Sequence, residues 1–118
     1  MTILTELNAL PGVIAAGEYS YRGDRFSFRG QLEPEHARMA SIMCRATTMS
    51  VRMQTGILAA ACGESGLVPG RGWIVRGPRF SVCVVANVFC FLDNSGGSLN
   101  EVLEIMRDRL QGEGEDLV

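Results

Sequence analysis

Residues 34–62 read PEHARMASIMCRATTMSVRMQTGILAAAC, long enough for about eight helical turns, with no proline after the first position. Pro34 suits the first turn of a helix, where its missing N–H costs nothing, and Glu35 suits the positive end of the helix dipole. Apolar residues recur mostly every three or four positions, at Met39, Ile42, Met43, Ala46, Met49, Met53, Ile57 and Ala60. The stretch therefore predicts one long helix with an apolar stripe.

The methionines of this stripe allow two interpretations. Four of the six methionines of the chain lie on the long helix, namely Met39, Met43, Met49 and Met53. Because methionine adapts to irregular surfaces, the stripe can pack on a sheet as ordinary core, or part of it can meet another protein molecule. The apolar area exceeds what one small domain covers easily, so we predict a homodimer. Its predicted seam combines the four methionines with the start of the next strand, Trp73, Ile74 and Val75.

Three arginines repeat every seven residues along another side of the long helix, at Arg38, Arg45 and Arg52. No acidic residue lies four positions before any of them, and Glu35 is the only local candidate for an ion pair. Such a row is either a solvated face or a docking surface for an acidic protein, since arginine is enriched in interface hot spots. We predict that the row stands exposed and forms the partner surface.

A β-hairpin is predicted before the long helix. Residues 13–21 and 25–29 read as its two strands, joined by a tight Arg-Gly-Asp turn. In the second strand, Phe26 and Phe28 alternate with polar residues and should point inward, as in an edge strand whose charges prevent aggregation. Residues 2–10 predict a short amphipathic helix before the hairpin.

Three strands and a helix are predicted after the long helix. The strands span about 73–77, 80–86 and 88–92, and the last two are apolar on both faces, as in central strands between helices. A Ser-x-x-Glu capping box precedes the last helix, about 99–110. The expected core residues of the strands are Phe80, Val82, Val84, Phe89 and Phe91.

The predicted order is α-β-β-α-β-β-β-α, which gives an α/β (α+β) sandwich. Sequence-adjacent strands can pair as hairpins, so we expect a five-stranded antiparallel sheet with helices on both faces. A chain of 118 residues fits one domain. We therefore predict a single domain over 1–110, followed by an acidic, flexible tail over 111–118.

The opening LTELNALPGVIAAGEYS, the methionine-rich helix and NVFCFLDN before the last helix resemble roadblock/dynein light chain-like proteins, whose fold is related to the profilin fold. Together with G-W-x-V-x-G and V-C-V-x-x-N-V, they look closest to a branch of small, uncharacterised bacterial roadblock-type proteins. The resemblance implies a non-catalytic homodimer that serves as a scaffold or regulator and binds a small Ras-like GTPase or another protein. It also implies that the long helix lies near the subunit seam and that the third strand pairs with its mate.

Composition argues against several other classes of function. The formal net charge of -2 is too weak a field to indicate nucleic acid or an anionic membrane surface, so we expect neither as a partner. No apolar run approaches the roughly 20 residues of a membrane span. The first residues lack the basic region of a signal peptide, so we expect the protein in the cytoplasm.

No catalytic, metal or cofactor site is predicted. The only histidine, His36, is two helical turns from the nearest cysteine, and the glycine-rich segment 63–72 lacks the G-K-[ST] of a P-loop. The four cysteines form no C-x-x-C motif and are expected as buried free thiols, at Cys44, Cys62, Cys83 and Cys90. An alternative stays open, in which the space between helix and sheet, lined by methionine and cysteine, senses a small molecule or a metal.

Overall fold

The computed structural model describes residues 2–62 and 71–110. Its elements follow the predicted order: α1 (Ile3–Asn8), β1 (Val13–Tyr19), β2 (Phe26–Gly30), α2 (Pro34–Cys62), β3 (Gly72–Arg76), β4 (Phe80–Val85), β5 (Val88–Asp93) and α3 (Leu99–Arg109). The long helix begins and ends where its sequence pattern does. The predicted tail at 111–118 and most of the glycine-rich segment lie outside the described residues.

The five strands form one antiparallel sheet in the order β2-β1-β5-β4-β3. The contact between β1 and β5 joins the first hairpin to the three later strands. This arrangement confirms β4 and β5 as central strands, and it leaves β2 and β3 as the two edges.

Helices cover both faces of the sheet, as predicted. On one face, α1 and α3 pack against the strands around Leu7, Val88, Cys90 and Met106, which are almost fully buried. Arg109 at the end of α3 forms an ion pair with Glu6 of α1. On the other face, α2 closes a smaller core of Tyr19, Cys44, Val84 and Phe89.

The predicted strand core is confirmed in part. Val84 and Phe89 are fully buried, and Val82 and Phe91 are partly buried against the same cluster. The prediction for Phe80 was wrong, because 47% of this residue is exposed. Phe80 is the first residue of β4, at the end of the sheet, and its ring packs under the guanidinium of Arg79 at 4.8 Å instead.

The edge strand β2 is less buried than its alternation predicts. Phe26 and Phe28 lie opposite Tyr19 and Gly17, hence on the face that α2 covers, but Phe26 is still 38% exposed. Gly17 is required at its position, because a Cβ there would overlap the ring of Phe89. On this face, Phe89 and Phe91 of β5 therefore lie opposite the small residues Gly17 and Ala15 of β1.

Candidate protein interface

The long helix α2 packs on the sheet through a stripe of small residues. Ala37, Ser41, Cys44 and Thr48 recur at spacings of four, three and four, and all four are buried. The Ser41 hydroxyl donates a hydrogen bond to the carbonyl oxygen of Ala37 at 2.8 Å, so its burial leaves no donor unsatisfied. Small side chains allow the helix to lie close to the strands.

Thr48 is the polar centre of this contact. The indole Nε1 of Trp73 donates to the Thr48 hydroxyl at 2.8 Å, and the Tyr19 and Thr48 hydroxyls share a hydrogen bond of 3.2 Å. Tyr19 also donates to the carbonyl oxygen of Ala86 at 3.4 Å. Burial raises the pKa of Tyr19, which keeps its hydroxyl a neutral donor. These bonds tie α2 to β1 and β3 and fix the rotation of the helix about its own axis.

With that rotation, the methionine stripe points away from the sheet. The exposed fractions are 48% for Met39, 63% for Met43, 53% for Met49 and 69% for Met53. The interpretation of the stripe as core of the single chain was therefore wrong. The reason is that the small residues of the helix can also be buried against the sheet. The two hydroxyls among them, those of Ser41 and Thr48, are hydrogen-bonded there.

The other predicted seam residues lie on β3, at the edge of the sheet. Their cross-strand partners place Trp73 and Val75 on the face covered by α2 and Ile74 on the opposite face. Trp73 is half-buried, whereas Ile74 is 45% and Val75 58% exposed. The outer edge of β3 pairs with no described strand, so its backbone donors and acceptors are open to a second chain.

An apolar groove joins the two groups of seam residues. It has a volume of about 450 Å³ and lies between α2 and the β3 side of the sheet. Met39 and Met43 form its helix wall, with Trp73 and Val75 opposite. The structure thus brings four of the predicted seam residues together, while Met49 and Met53 continue the exposed stripe along α2 and Ile74 lies on the other side of the sheet.

The predicted arginine row is not uniformly exposed. Arg38 is exposed and pairs with Glu35 through Nη2–Oε1 at 2.6 Å and Nε–Oε2 at 3.1 Å, which lowers the pKa of the glutamate. Arg45 is half-buried, and its Nε donates to the carbonyl oxygen of Tyr21 at 2.9 Å. Arg52 is also half-buried. The expectation of full exposure was wrong for Arg45 and Arg52, because the row borders the buried stripe.

A basic cleft that the sequence analysis did not find lies beside this row. It has a volume of about 310 Å³, lies between α2 and the β1–β2 turn, and includes Arg22, Arg25, Arg38 and Arg45 in its lining. The turn arginines were interpreted only as part of a hairpin. The sequence does place Arg22 and Arg25 close together, shortly before a helix that carries its own row of arginines. It does not reveal which face of that helix the turn contacts.

Three of the four cysteines are buried free thiols, as predicted, at Cys44, Cys83 and Cys90. Burial raises the pKa of Cys44 to about 11 and the pKa values of Cys83 and Cys90 to about 12. At neutral pH these thiols are protonated, and a protonated thiol is a poor nucleophile and metal ligand. The side chain of Cys62 lies outside the described part of the structure.

His36 is exposed and lies at the groove, in the first turn of α2. Within residues 2–62 and 71–110, no three histidine, cysteine or acidic side chains lie close enough together to hold a metal ion. None of the helices described there combines the length and apolarity needed to span a bilayer.

Residues 3–108 match the model of a family described as Uncharacterized conserved protein (DUF2173). No curated protein matches the chain.

Several solved structures share the fold at low sequence identity. MglB in a tetrameric arrangement is 14% identical, with a TM-score of 0.71 over 96% of this chain and 83% of that chain. The gliding protein MglB from Thermus thermophilus is 15% identical, with a TM-score of 0.69 over 96% of this chain and 84% of that chain. A Roadblock/LC7 domain from Streptomyces avermitilis is 16% identical, with a TM-score of 0.57 over 92% of this chain and 94% of that chain. These similarities confirm the roadblock fold that the sequence predicted.

Proposed function

The chain belongs to the DUF2173 family of conserved proteins and has the roadblock fold, and we propose that it is a non-catalytic, homodimeric adaptor or regulator that binds other proteins. The observation that carries this proposal is the exposed apolar surface that α2 and β3 share. A small Ras-like GTPase is the partner class that the roadblock resemblance suggests.

The exposed apolar surface is large for a domain of this size. It comprises eight large side chains, at Met39, Ile42, Met43, Met49, Met53, Ile57, Leu58 and Val75. Monomeric proteins rarely expose contiguous apolar patches beyond a few hundred Å², and larger ones mark interaction sites. Fully burying one such side chain contributes roughly 1.5–3 kcal/mol, so covering several of them supports a stable complex.

A second copy of the chain suits this surface, because a two-fold interface places the same patch on both subunits. The stripe on α2 would pack against α2 of the mate. The free edge of β3 would pair with β3 of the mate, which satisfies backbone groups that are otherwise open and joins two sheets into one. One of the solved MglB structures has a tetrameric arrangement, and this property of that protein supports self-association of a chain with the same fold.

Sedimentation analysis of a double variant, Met43→Glu with Val75→Glu, tests the proposal. Both residues line the groove, and a carboxylate on each would face the apolar surface of the mate, so we expect a folded monomer where the unaltered chain is a dimer. The control is Thr5→Glu with Asn100→Glu, which adds the same charge at exposed positions on α1 and α3. An unaltered chain that sediments as a monomer at micromolar concentration contradicts the proposal.

The groove also supports a second candidate function, the sensing of a small apolar molecule. Its volume of about 450 Å³ falls within the usual range of ligand sites, roughly 300–1,000 Å³. Met39, Met43 and Cys44 supply a soft, polarisable wall. Native mass spectrometry of the protein from its source distinguishes the two functions, since a bound small mass favours the sensor and a bound protein favours the adaptor.

A further inference from the structure

The cleft between α2 and the β1–β2 turn carries a concentration of positive charge that the dimer surface does not use. Among the residues that line it are four arginines, Arg22, Arg25, Arg38 and Arg45, and one acidic residue, Asp24. Glu35 adds a second carboxylate nearby through its pair with Arg38. That pair is exposed, and exposed pairs contribute little, so Arg38 can exchange its partner at small cost.

The β1–β2 turn holds its arginines on a fixed backbone. The Ser20 hydroxyl accepts from the backbone N–H groups of Asp24 and Arg25 at 3.1 and 3.0 Å, and it donates to the Asp24 carboxylate at 2.7 Å. The backbone N–H of Gly23 donates to the carbonyl oxygen of Ser20 at 2.9 Å. The turn is therefore closed on itself, and the Asp24 carboxylate is engaged within it.

Arg45 forms the helix side of the cleft and is held in place by the same turn. Its Nε donates to the carbonyl oxygen of Tyr21, which leaves the donors of its terminal nitrogens for another acceptor. Gly23 has a φ of +83°, and a Cβ at this position would lie 3.1–3.2 Å from the Arg45 side chain. Glycine at this position therefore serves both the turn and the seating of the guanidinium.

We propose that this cleft binds an acidic segment of a protein partner, with a carboxylate side chain between Arg45 of α2 and the turn arginines, Arg22 and Arg25. Guanidinium groups bind carboxylates through paired, charge-assisted hydrogen bonds. Phe26 and Ile42, both exposed, add apolar walls that suit hydrophobic neighbours of the acidic residue. This inference rests on the proposed protein-binding function and names the chemistry of the partner.

The size and position of the cleft favour a protein segment as its occupant. Its volume of about 310 Å³ is at the lower limit of small-molecule sites, which suits one or two side chains better than a whole cofactor. Ile42 belongs both to the cleft and to the exposed apolar side of α2, so the cleft continues the surface already proposed for protein binding.

Fluorescence anisotropy with a short, labelled peptide rich in glutamate and leucine tests the inference. We expect saturable binding to the full chain, and little binding of the same peptide with glutamine in place of glutamate. Arg22→Gln with Arg25→Gln should weaken binding by about tenfold or more. The matched control, Arg79→Gln with Arg107→Gln, removes the same charge at exposed positions outside both the cleft and β3, and should bind like the unaltered chain.

Three results would overturn the inference. The first is absence of saturable binding, or equal binding of the glutamine peptide. The second is an equal loss in the control variant, which would mean that net charge alone attracts the peptide. The third is displacement of the peptide by inorganic phosphate at equimolar concentration, which would mean a site for small anions. A dimer that fails to bind the peptide overturns only this inference, whereas a monomer that binds it overturns only the proposed dimer.

Discussion

At the scale of single residues, the rotation of the long helix depends on one hydroxyl group. Thr48 is buried and accepts from Trp73 while it shares a hydrogen bond with Tyr19, so three elements meet at one oxygen atom. Thr47, its neighbour, is exposed. Two adjacent residues of the same type therefore have opposite structural roles.

Thr48→Val should destabilise the fold, because valine has nearly the same shape but leaves the Trp73 indole and the Tyr19 hydroxyl without this partner. We expect a loss of about 1–3 kcal/mol in the free energy of unfolding, measured by urea titration. Thr47→Val makes the same chemical change at an exposed position and should stay within about 0.5 kcal/mol of the unaltered chain. Equal effects of the two variants would contradict the described role of Thr48.

Phe89→Ala and Phe80→Ala compare a core position of the sheet with a surface position. Phe89 is fully buried, so Phe89→Ala should lower the free energy of unfolding by about 3–5 kcal/mol. This is a large part of a typical stability of about 5–15 kcal/mol. Phe80 is 47% exposed, so Phe80→Ala should lower the free energy of unfolding by clearly less. Thermal or urea unfolding of both variants measures the difference. An unchanged unfolding midpoint of the Phe89→Ala variant would contradict the buried position of Phe89 in the sheet.

At the scale of elements, α2 shows what a sequence pattern determines and what it leaves open. Its length followed from an uninterrupted helical pattern after Pro34, and the strands followed from their alternation and turns. Which face of the helix is buried did not follow. Hydrophobicity favoured the methionines, whereas the sheet is met by Ala37, Ser41, Cys44 and Thr48, because partners on β1 and β3 satisfy Thr48.

The same limit explains the arginine row and the basic cleft. A repeat of seven residues places Arg38, Arg45 and Arg52 on one side of the helix, but the sequence does not reveal that this side meets the β1–β2 turn. Burial of Arg45 depends on the carbonyl of Tyr21, which lies 24 positions away. Contacts over such sequence separations depend on how whole elements pack, so local sequence patterns could not predict them.

Arg45→Gln should therefore be more costly than a surface substitution. It removes a charge-assisted hydrogen bond to a carbonyl that is part of the turn, and we expect a loss of about 1–2 kcal/mol in the free energy of unfolding. Arg38→Gln removes only an exposed ion pair and should lower the free energy of unfolding by less than Arg45→Gln does. Urea titration of the two variants checks the order, and a reversed order would contradict the described position of the row.

At the scale of the whole molecule, the two helical layers have different consequences. The layer of α1 and α3 surrounds fully buried side chains such as Leu7 and Met106. The layer of α2 is covered only on its inner side and exposes seven large apolar side chains, at Met39, Ile42, Met43, Met49, Met53, Ile57 and Leu58. The described chain thus has one helical layer around a fully buried core and one layer with an exposed apolar side. The central claim of the proposed function is that a second molecule covers this exposed side.

Oxidation of the methionines by dilute peroxide, followed by mass spectrometry, tests this claim most directly. Met106 is fully buried within the chain and serves as an internal standard, while Met39, Met49 and Met53 report on the α2 surface. If a second molecule covers that surface, all four should oxidise slowly in the unaltered chain at micromolar concentration. In the Met43→Glu, Val75→Glu variant, the three reporters should oxidise at least about tenfold faster, and Met106 should stay slow. Fast oxidation of all three reporters in the unaltered chain, at the rates seen in the variant, would contradict the claim.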